Sequence, residues 1–217
     1  MSLAIFDLDN TLLAGDSDYL WGQYLVEQGV VDRDAYEEAN LQFYLDYQAG
    51  RLDIEAFLGF ALRPLAENDP DALCSWRREF IEQKIRPILL PEAHRIIARH
   101  REQGDLLVVI TATNRFVTEP IVELYGIDHL IATTPEFLDG RYTGRFVGTP
   151  CFRDGKVTRL RAWLEEFDQD LTGSWFYSDS HNDEPLLALV DNPVAVDPDE
   201  HLLALANERG WPVISLR

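Results

Sequence analysis

The stretch Leu3-Ala4-Ile5-Phe6-Asp7-Leu8-Asp9-Asn10-Thr11-Leu12-Leu13 decides how this chain is read. Four apolar residues with the character of a buried strand run straight into two acids one residue apart, followed by Asn10 and Thr11. In open α/β sheets, ligands sit at the carboxyl ends of strands. Two carboxylates at a buried strand end repel each other unless something positive lies between them. A hard divalent cation such as Mg²⁺ is the simplest candidate. A strand followed by an ordinary Asp-Asn turn is the structural alternative.

Downstream of this segment the pattern changes. From residue 17 to 86, Tyr19, Leu20, Tyr24, Leu25, then Tyr36, Phe43, Tyr44, Tyr47, then Ile54, Phe57, Leu58, Ala61, Leu62, then Leu73, Trp76, Phe80, Ile81, Ile85 recur at helical spacing. Breaks fall at Gln28-Gly29, Ala49-Gly50-Arg51 and Asn68-Asp69-Pro70, the last pairing an N-cap acid with proline at the first helical position. The spacing predicts about four helices and no strand. After Pro87, helix and strand alternate. Helices are expected at 91–102, 114–124, 156–167, 184–190 and 201–209. Strands are expected at 106–110, 127–133, 174–177 and 193–196, with a hairpin turning at Asp139-Gly140. Such alternation means α/β architecture, a Rossmann-like parallel sheet with helices on both faces. The all-helical stretch is then an insertion. Residues 1–15 and 87–217 form the α/β core, and 16–86 form a separate helical domain.

The 217 residues carry 19 Lys and Arg against 38 Asp and Glu, a net charge of −19. That balance repels nucleic acid and anionic membrane, leaving neither as a general partner. It would also repel a phosphorylated substrate unless local cations and a metal reverse the field at the site. Cys74 and Cys151 lie far apart without metal-ligand spacing, as expected of a reduced cytoplasmic protein. No basic leader precedes the first strand, and no apolar run reaches membrane-spanning length.

Polar residues gather at two more strand ends. Ile110-Thr111-Ala112-Thr113-Asn114 runs from a strand into a helix, whose N-terminus binds anions through free N–H groups and the dipole; plain N-capping is the alternative for Thr111 and Thr113. Tyr177-Ser178-Asp179-Ser180-His181-Asn182-Asp183 again carries acids from a strand into a helix. Lys156 opens a helix of its own, where a lysine is ordinarily a surface residue.

With these residues in view, the sequence resembles the haloacid-dehalogenase superfamily of phosphohydrolases. Asp7-Leu8-Asp9-Asn10-Thr11 matches its first motif, Thr111 its second, Lys156 its third, and Asp179 with Asp183 its fourth. The insertion is similar to the cap that one subfamily carries after the first strand. Gly50-Arg51-Leu52 and Leu90-Pro91-Glu92-Ala93 resemble the phosphoserine-phosphatase branch of that subfamily. The resemblance implies a phosphatase mechanism. Asp7 would attack phosphorus to give an aspartyl-phosphate. Asp9 would protonate the leaving oxygen and then deprotonate water. Mg²⁺ would be held by the Asp7 carboxylate, the Asp9 carbonyl and Asp179, with Asp183 orienting a metal-bound water. Thr111 and the Ala112 N–H would hold phosphate oxygens, Lys156 would neutralise charge on Asp7 and the phosphoryl group, and Asn182 would assist in phosphate binding. An acid at Asp9 favours phosphate monoesters over halides, which depart without a proton.

Substrate identity turns on the insertion. Asp16 matches the acid that holds the amino group of phosphoserine in that branch; the alternative is a helix N-cap. The branch also pairs the serine carboxylate with an arginine, and alignment on Gly50-Arg51-Leu52 puts Gly59 in its place, with Arg51 and Arg63 nearby. A small phosphate ester bearing an amine and no carboxylate is therefore expected, such as histidinol phosphate, phosphoethanolamine or phosphocholine. Trp21, Tyr24, Tyr44, Tyr47, Phe57 and Phe60 either pack the helical core or line an aromatic pocket for a cation. His181 is expected to be a loop residue without an essential proton role. The competing functions are phosphoserine phosphatase, phosphotransferase to an alcohol, and a non-enzymatic sensor of phosphometabolites. The chain is expected to be a monomer or homodimer.

Overall fold

A computed structural model describes residues 2–217. Six strands form one parallel sheet: β1 (Leu3–Phe6), β2 (Leu106–Thr111), β3 (His129–Ala132), β6 (Trp175–Ser178), β7 (Asn192–Val196) and β8 (Val213–Ile214), in the order β3-β2-β1-β6-β7-β8. A separate antiparallel hairpin pairs β4 (Thr134–Leu138) with β5 (Arg141–Val147) across Asp139-Gly140. β1 is central, flanked by β2 on one side and β6 on the other. The chain therefore leaves the sheet in opposite directions from this strand, and the crevice at its carboxyl end is where such folds bind ligands.

Every residue of β1 is buried. Side chains alternate between the two faces, as the pleat requires. Ala4 and Phe6 join one hydrophobic cluster with Leu107 and Val109; Leu3 and Ile5 join the other with Val108 and Ile110. The second face is covered by α8 (Asp154–Glu166), α9 (Glu184–Leu187) and α10 (Glu200–Arg209), through Leu160, Trp163, Leu187, Leu202 and Ala206. The first is covered by α6 (Pro91–Gln103), closed by left-handed Gly104, and α7 (Arg115–Leu124). Behind β6 the buried His100 ring lies 2.8 Å from both Asp105 Oδ2 and the Tyr177 hydroxyl, a structural polar bridge.

The insertion holds five α-helices rather than four: α1 (Ser17–Glu27), α2 (Arg33–Gln48), α3 (Ile54–Ala61), α4 (Arg63–Glu67) and α5 (Pro70–Phe80). Pro64 accounts for the extra break: without an N–H it cannot continue α3, but it suits the first turn of a new helix. α5 begins at Pro70 with Asp69 as N-cap, as the sequence predicts, then runs through a π-turn at Ile81–Ile85 and a 3₁₀ turn at Arg86–Ile88. Helix α8 starts two residues before the expected Lys156, α9 is shorter than the expected 184–190, and β8 was not expected.

The boundary at residue 16 does not divide the hydrophobic core. Trp21, Tyr24, Leu25, Leu73 and Phe80 of the insertion share one cluster with Phe6, Val109, Phe116 and Val117 of the sheet and its helices. Trp21 meets Phe116 edge-on at 5.9 Å. The hairpin closes on the insertion too. Gly144 has φ +79°, and a Cβ there would sit 3.3 Å from the Ala66 Cβ, so glycine serves both conformation and contact.

Candidate active site

The carboxyl ends of β1, β2 and β6 bring the first three polar clusters together. Beyond β1, the Asp7 N–H extends the ladder to the Tyr177 carbonyl at 2.9 Å, and Asn10 turns the chain at φ +56°. Lys156, in the first turn of α8, is 2% exposed, with Nζ 2.7 Å from Asp7 Oδ1 and 2.8 Å from Asp183 Oδ2. Sequence alone favours a surface lysine here; the structure buries it between two acids. Burial would lower its pKa, but Asp183 and Asp7 hold it above the ordinary lysine value, so the side chain stays charged. Burial pushes the Asp7 carboxyl up to about 7 against the pull of Lys156, with Asp183 and Asp9 reinforcing the rise.

Asp179 reaches the same point from β6. The Thr11 hydroxyl lies 3.0 Å from Asp179 Oδ1 and 3.5 Å from Asp7 Oδ2, and it accepts the Asp179 N–H at 3.0 Å. Burial, with Asp7 and Asp183 nearby, holds the Asp179 carboxyl well above its usual value. Asp183 accepts from Lys156 and, at 2.7 Å, from the Ser178 hydroxyl.

Asp9 occupies a different environment from Asp7. Its carboxylate turns away from Lys156 and accepts from the Ser17 N–H at 2.6 Å, the Thr113 hydroxyl at 2.8 Å and the Thr111 hydroxyl at 3.3 Å. Thr111 thus contacts Asp9 directly, and its oxygen also accepts the Thr113 N–H. Ala112 lines a cavity together with Asp9, Thr111 and Thr113. Thr113, for which the sequence offers N-capping as the alternative, holds Asp9 more closely than Thr111 does.

Asn182 is placed differently from the expectation of phosphate binding. Its amide donates to the Tyr47 carbonyl at 3.1 Å and to Ser180, and its Oδ1 accepts from Arg153 Nε at 3.0 Å. Arg153 also donates to the Gly50 carbonyl. These two residues tie the loop after α2 to the sheet. Sequence reasoning missed Arg153; its one local signal, a position just before the Asp-Gly-Lys helix start, is too common to single out. His181 sits in a turn with Nδ1 2.7 Å from Asp199 Oδ2, in keeping with a loop residue.

Above the acids lies a cavity lined by Asp7, Asp9, Asp16, Asp18, Thr111 and Thr113 on one side and by aromatic residues of α1, α2 and α3 on the other. Asp16 is the N-cap of α1, accepting from the Asp18 and Tyr19 N–H groups, and it also faces the cavity. Burial and the neighbouring Asp9 raise its carboxyl to about 7. The aromatic residues divide: Tyr44, Tyr47 and Phe57 line the cavity, whereas Trp21 and Tyr24 are core and Phe60 packs on Tyr36. Among the described residues, no lysine, arginine or histidine lines this cavity. Arg51 and Arg63 are exposed and paired with Asp46 and Glu67, and Gly59 faces open space.

Residues 4–188 match the model of the haloacid dehalogenase-like hydrolases. The chain belongs to that family. This hydrolase is 47% identical to the histidinol-phosphatase of Neisseria meningitidis serogroup C (strain 8013), over all of this chain and 99% of that one. It is 32% identical to a phosphoserine phosphatase of Mycobacterium tuberculosis (strain ATCC 25618 / H37Rv), over 99% of this chain and 70% of the relative. Among solved structures, a protein of unknown function from Bordetella pertussis Tohama I superposes with a TM-score of 0.94 at 45% identity, covering 100% of this chain and 99% of the other. A substrate-bound phosphoserine phosphatase gives 0.73 at 16% identity, over 100% of this chain and 93% of that one, a likeness of fold. The hydrolase is a phosphatase of this family. No helix among its described residues is long and apolar enough to cross a membrane.

Proposed function

We propose that this hydrolase cleaves the phosphate monoester of a small amino alcohol, with histidinol phosphate as the representative substrate, using Mg²⁺ and an aspartyl-phosphate intermediate. The observation that carries the substrate class is the composition of the cavity over Asp7. It offers Asp16 and Asp18 and no cationic side chain. An ammonium is welcome there, and a carboxylate is not. Phosphoserine would bring a carboxylate with nothing to pair it. The similarity to a histidinol-phosphatase over the whole chain supports the same choice.

The residues present fit a hard cation. Asp7 and Asp179 are buried carboxylates sharing the Thr11 hydroxyl, and Asp7 helps hold the Asp179 carboxyl above its usual value, so a positive charge between them would relieve that repulsion. No set of three or more His, Cys, Asp or Glu side chains among the described residues forms a metal cluster. Two carboxylates with the Asp9 carbonyl would leave the remaining positions to water and phosphate. Bound Mg²⁺ would screen the phosphate from the acids and polarise its oxygens. The chain's own residues do the rest. Lys156 restrains the Asp7 carboxylate for attack on phosphorus and stabilises charge there. Asp9, held by Ser17, Thr111 and Thr113, carries the proton to the leaving oxygen and later takes one from water. Thr111 and the Ala112 N–H receive phosphate oxygens. Residues 16–86 act as the cap that covers this chemistry from water.

Purified protein with Mg²⁺, assayed on histidinol phosphate, phosphoethanolamine, phosphocholine and phosphoserine, tests the assignment. Histidinol phosphate should give the highest kcat/KM; phosphoserine turnover above the amines would overturn it.

A further inference from the structure

Two polar groups lining the cavity take no part in the phosphate chemistry above. Asp18 lies two residues into α1, beyond Asp16. It is enclosed by protein but open to the cavity, and its carboxylate accepts no hydrogen bond among the described residues. Asn40, on α2, is 6% exposed and lines the same cavity. Its Nδ2 donates to the Tyr19 carbonyl at 3.0 Å, and its Oδ1 accepts nothing among the described residues. Asn40 can lie against α1 only because residue 22 is glycine, since a Cβ there would sit 2.6 Å from Asn40 Nδ2. The fold thus makes room for an amide whose acceptor is left over.

Both free groups are acceptors, so what they take must donate. Flat walls stand beside them: Tyr19 and Tyr44, with ring centroids 5.0 Å apart, and Phe57. Aromatic faces favour a planar cationic or N–H-bearing partner over an aliphatic one. We propose that Asp18 and Asn40 form a second recognition subsite that takes the N–H of a planar nitrogen heterocycle, such as an imidazole, on the esterified alcohol. The subsite rests on the amino-alcohol reading and deepens it: Asp16 meets the amine, and Asp18 with Asn40 reads the ring. It explains how an acidic cavity tells a ring-bearing amino alcohol from a smaller one, because a hydrogen-bonding site left unfilled by the smaller ester discriminates more strongly than lost apolar contact.

The test compares histidinol phosphate with 2-aminopropyl phosphate, which keeps the amine and phosphate but lacks the ring. Steady-state kinetics with Mg²⁺ give the ratio of kcat/KM between the two esters. In Asp18→Asn that ratio should fall by roughly tenfold or more, through KM, as expected for one charge-assisted hydrogen bond. Asp18→Glu, which restores the charge, should recover part of the ratio. Gly22→Ala, which crowds Asn40, should lower it as well. A purely structural Asp18, stabilising the first turn of α1, would lower activity on both esters together and leave the ratio unchanged, which overturns the subsite. If the unaltered hydrolase prefers phosphoserine to both amines, the amino-alcohol reading fails and the subsite falls with it. If it prefers the amines but Asp18→Asn leaves the ratio intact, the subsite alone fails.

Discussion

Lys156 Nζ stands 2.7 Å from Asp7 Oδ1, with both side chains buried. The pair is completed by Asp183 on the far side of the ammonium. One buried cation thus serves two buried carboxylates.

Removing that cation should therefore harm both chemistry and folding. Lys156→Ala leaves Asp7, Asp183 and Asp179 close together and unopposed. It should cost ~3 to 5 kcal/mol of stability at neutral pH, the scale of a broken buried pair. Hydrolysis of p-nitrophenyl phosphate with Mg²⁺ should fall by about a hundredfold or more. Denaturant unfolding and the same colorimetric assay measure the two losses.

Asp7 and Asp9 should separate by the kind of damage their amides cause. Asp7→Asn should abolish turnover and leave no phosphorylated protein after rapid acid quenching. Asp9→Asn should slow turnover by roughly 10²- to 10⁴-fold, the range of a lost general acid-base. Because Asp9 offers its carboxylate to Ser17, Thr111 and Thr113 rather than to Lys156, this variant should still accumulate acid-stable phosphoprotein. Persistent full activity in Asp7→Asn would falsify the nucleophile.

The acidic cavity should make the metal-free protein more stable below neutrality. Asp7 and Asp16 have folded-state values near 7 against 3.8 for an unperturbed group. A raised carboxyl binds protons more tightly in the folded chain, so between about pH 4 and 7 stability falls as pH rises. Asp105 and Asp199 have lowered values, and their contributions are lost only on acidification below 3.8. In the absence of metal, the Tm should rise by several degrees from pH 7.5 to 5.5. Asp16→Asn should flatten that slope; an identical slope in the variant would remove Asp16 as a source.

Arg153 should govern how tightly the loop after α2 stays closed. Its guanidinium joins the Gly50 carbonyl to Asn182, and its backbone is held at φ +49°, an uncommon conformation for a side-chain-bearing residue. Arg153→Ala should raise amide hydrogen exchange through 45–53 without speeding exchange in β1 or β2, and should raise KM severalfold. Unchanged exchange in that loop would show that the contact does not hold it.

The parallel sheet was legible because β1 and β2 are continuous apolar runs ending in polar clusters, the mark of strands buried on both faces. Asp7, Asp9, Thr111, Asp179 and Asp183 stand out in the sequence because each sits where a strand ends or a helix begins, whereas Lys156 by itself reads as a surface residue. Asn182 has the acidic loop as its neighbourhood in sequence, whereas its neighbourhood in space is Tyr47 and Arg153. Asn40 and Gly22 could not be recognised at all: their meaning lies in the crossing of α1 and α2, which no local pattern encodes. β8 was too short to give a periodic signal. The aromatic residues were ambiguous because helical spacing gives a burying face without saying whether that face meets core or cavity.

The hydrophobic cluster that crosses residue 16 bears on how a substrate enters. Helices α1 and α5 are anchored in the sheet's own core through Trp21, Leu73 and Phe80. A lid rooted in this way cannot swing as one rigid body without exposing that core. Of the five helices only α2 contributes nothing to that cluster, so opening would be confined to α2, swivelling on the segments at 28–32 and 49–53 as the latter releases Arg153 and Asn182. Asp16, Asp18 and Phe57 would belong to the stationary half, whereas Asn40, Tyr44 and Tyr47 would belong to the moving half. Each catalytic cycle would thus assemble the specificity pocket anew from a fixed acidic wall and an arriving aromatic one, so that recognition and closure are a single event.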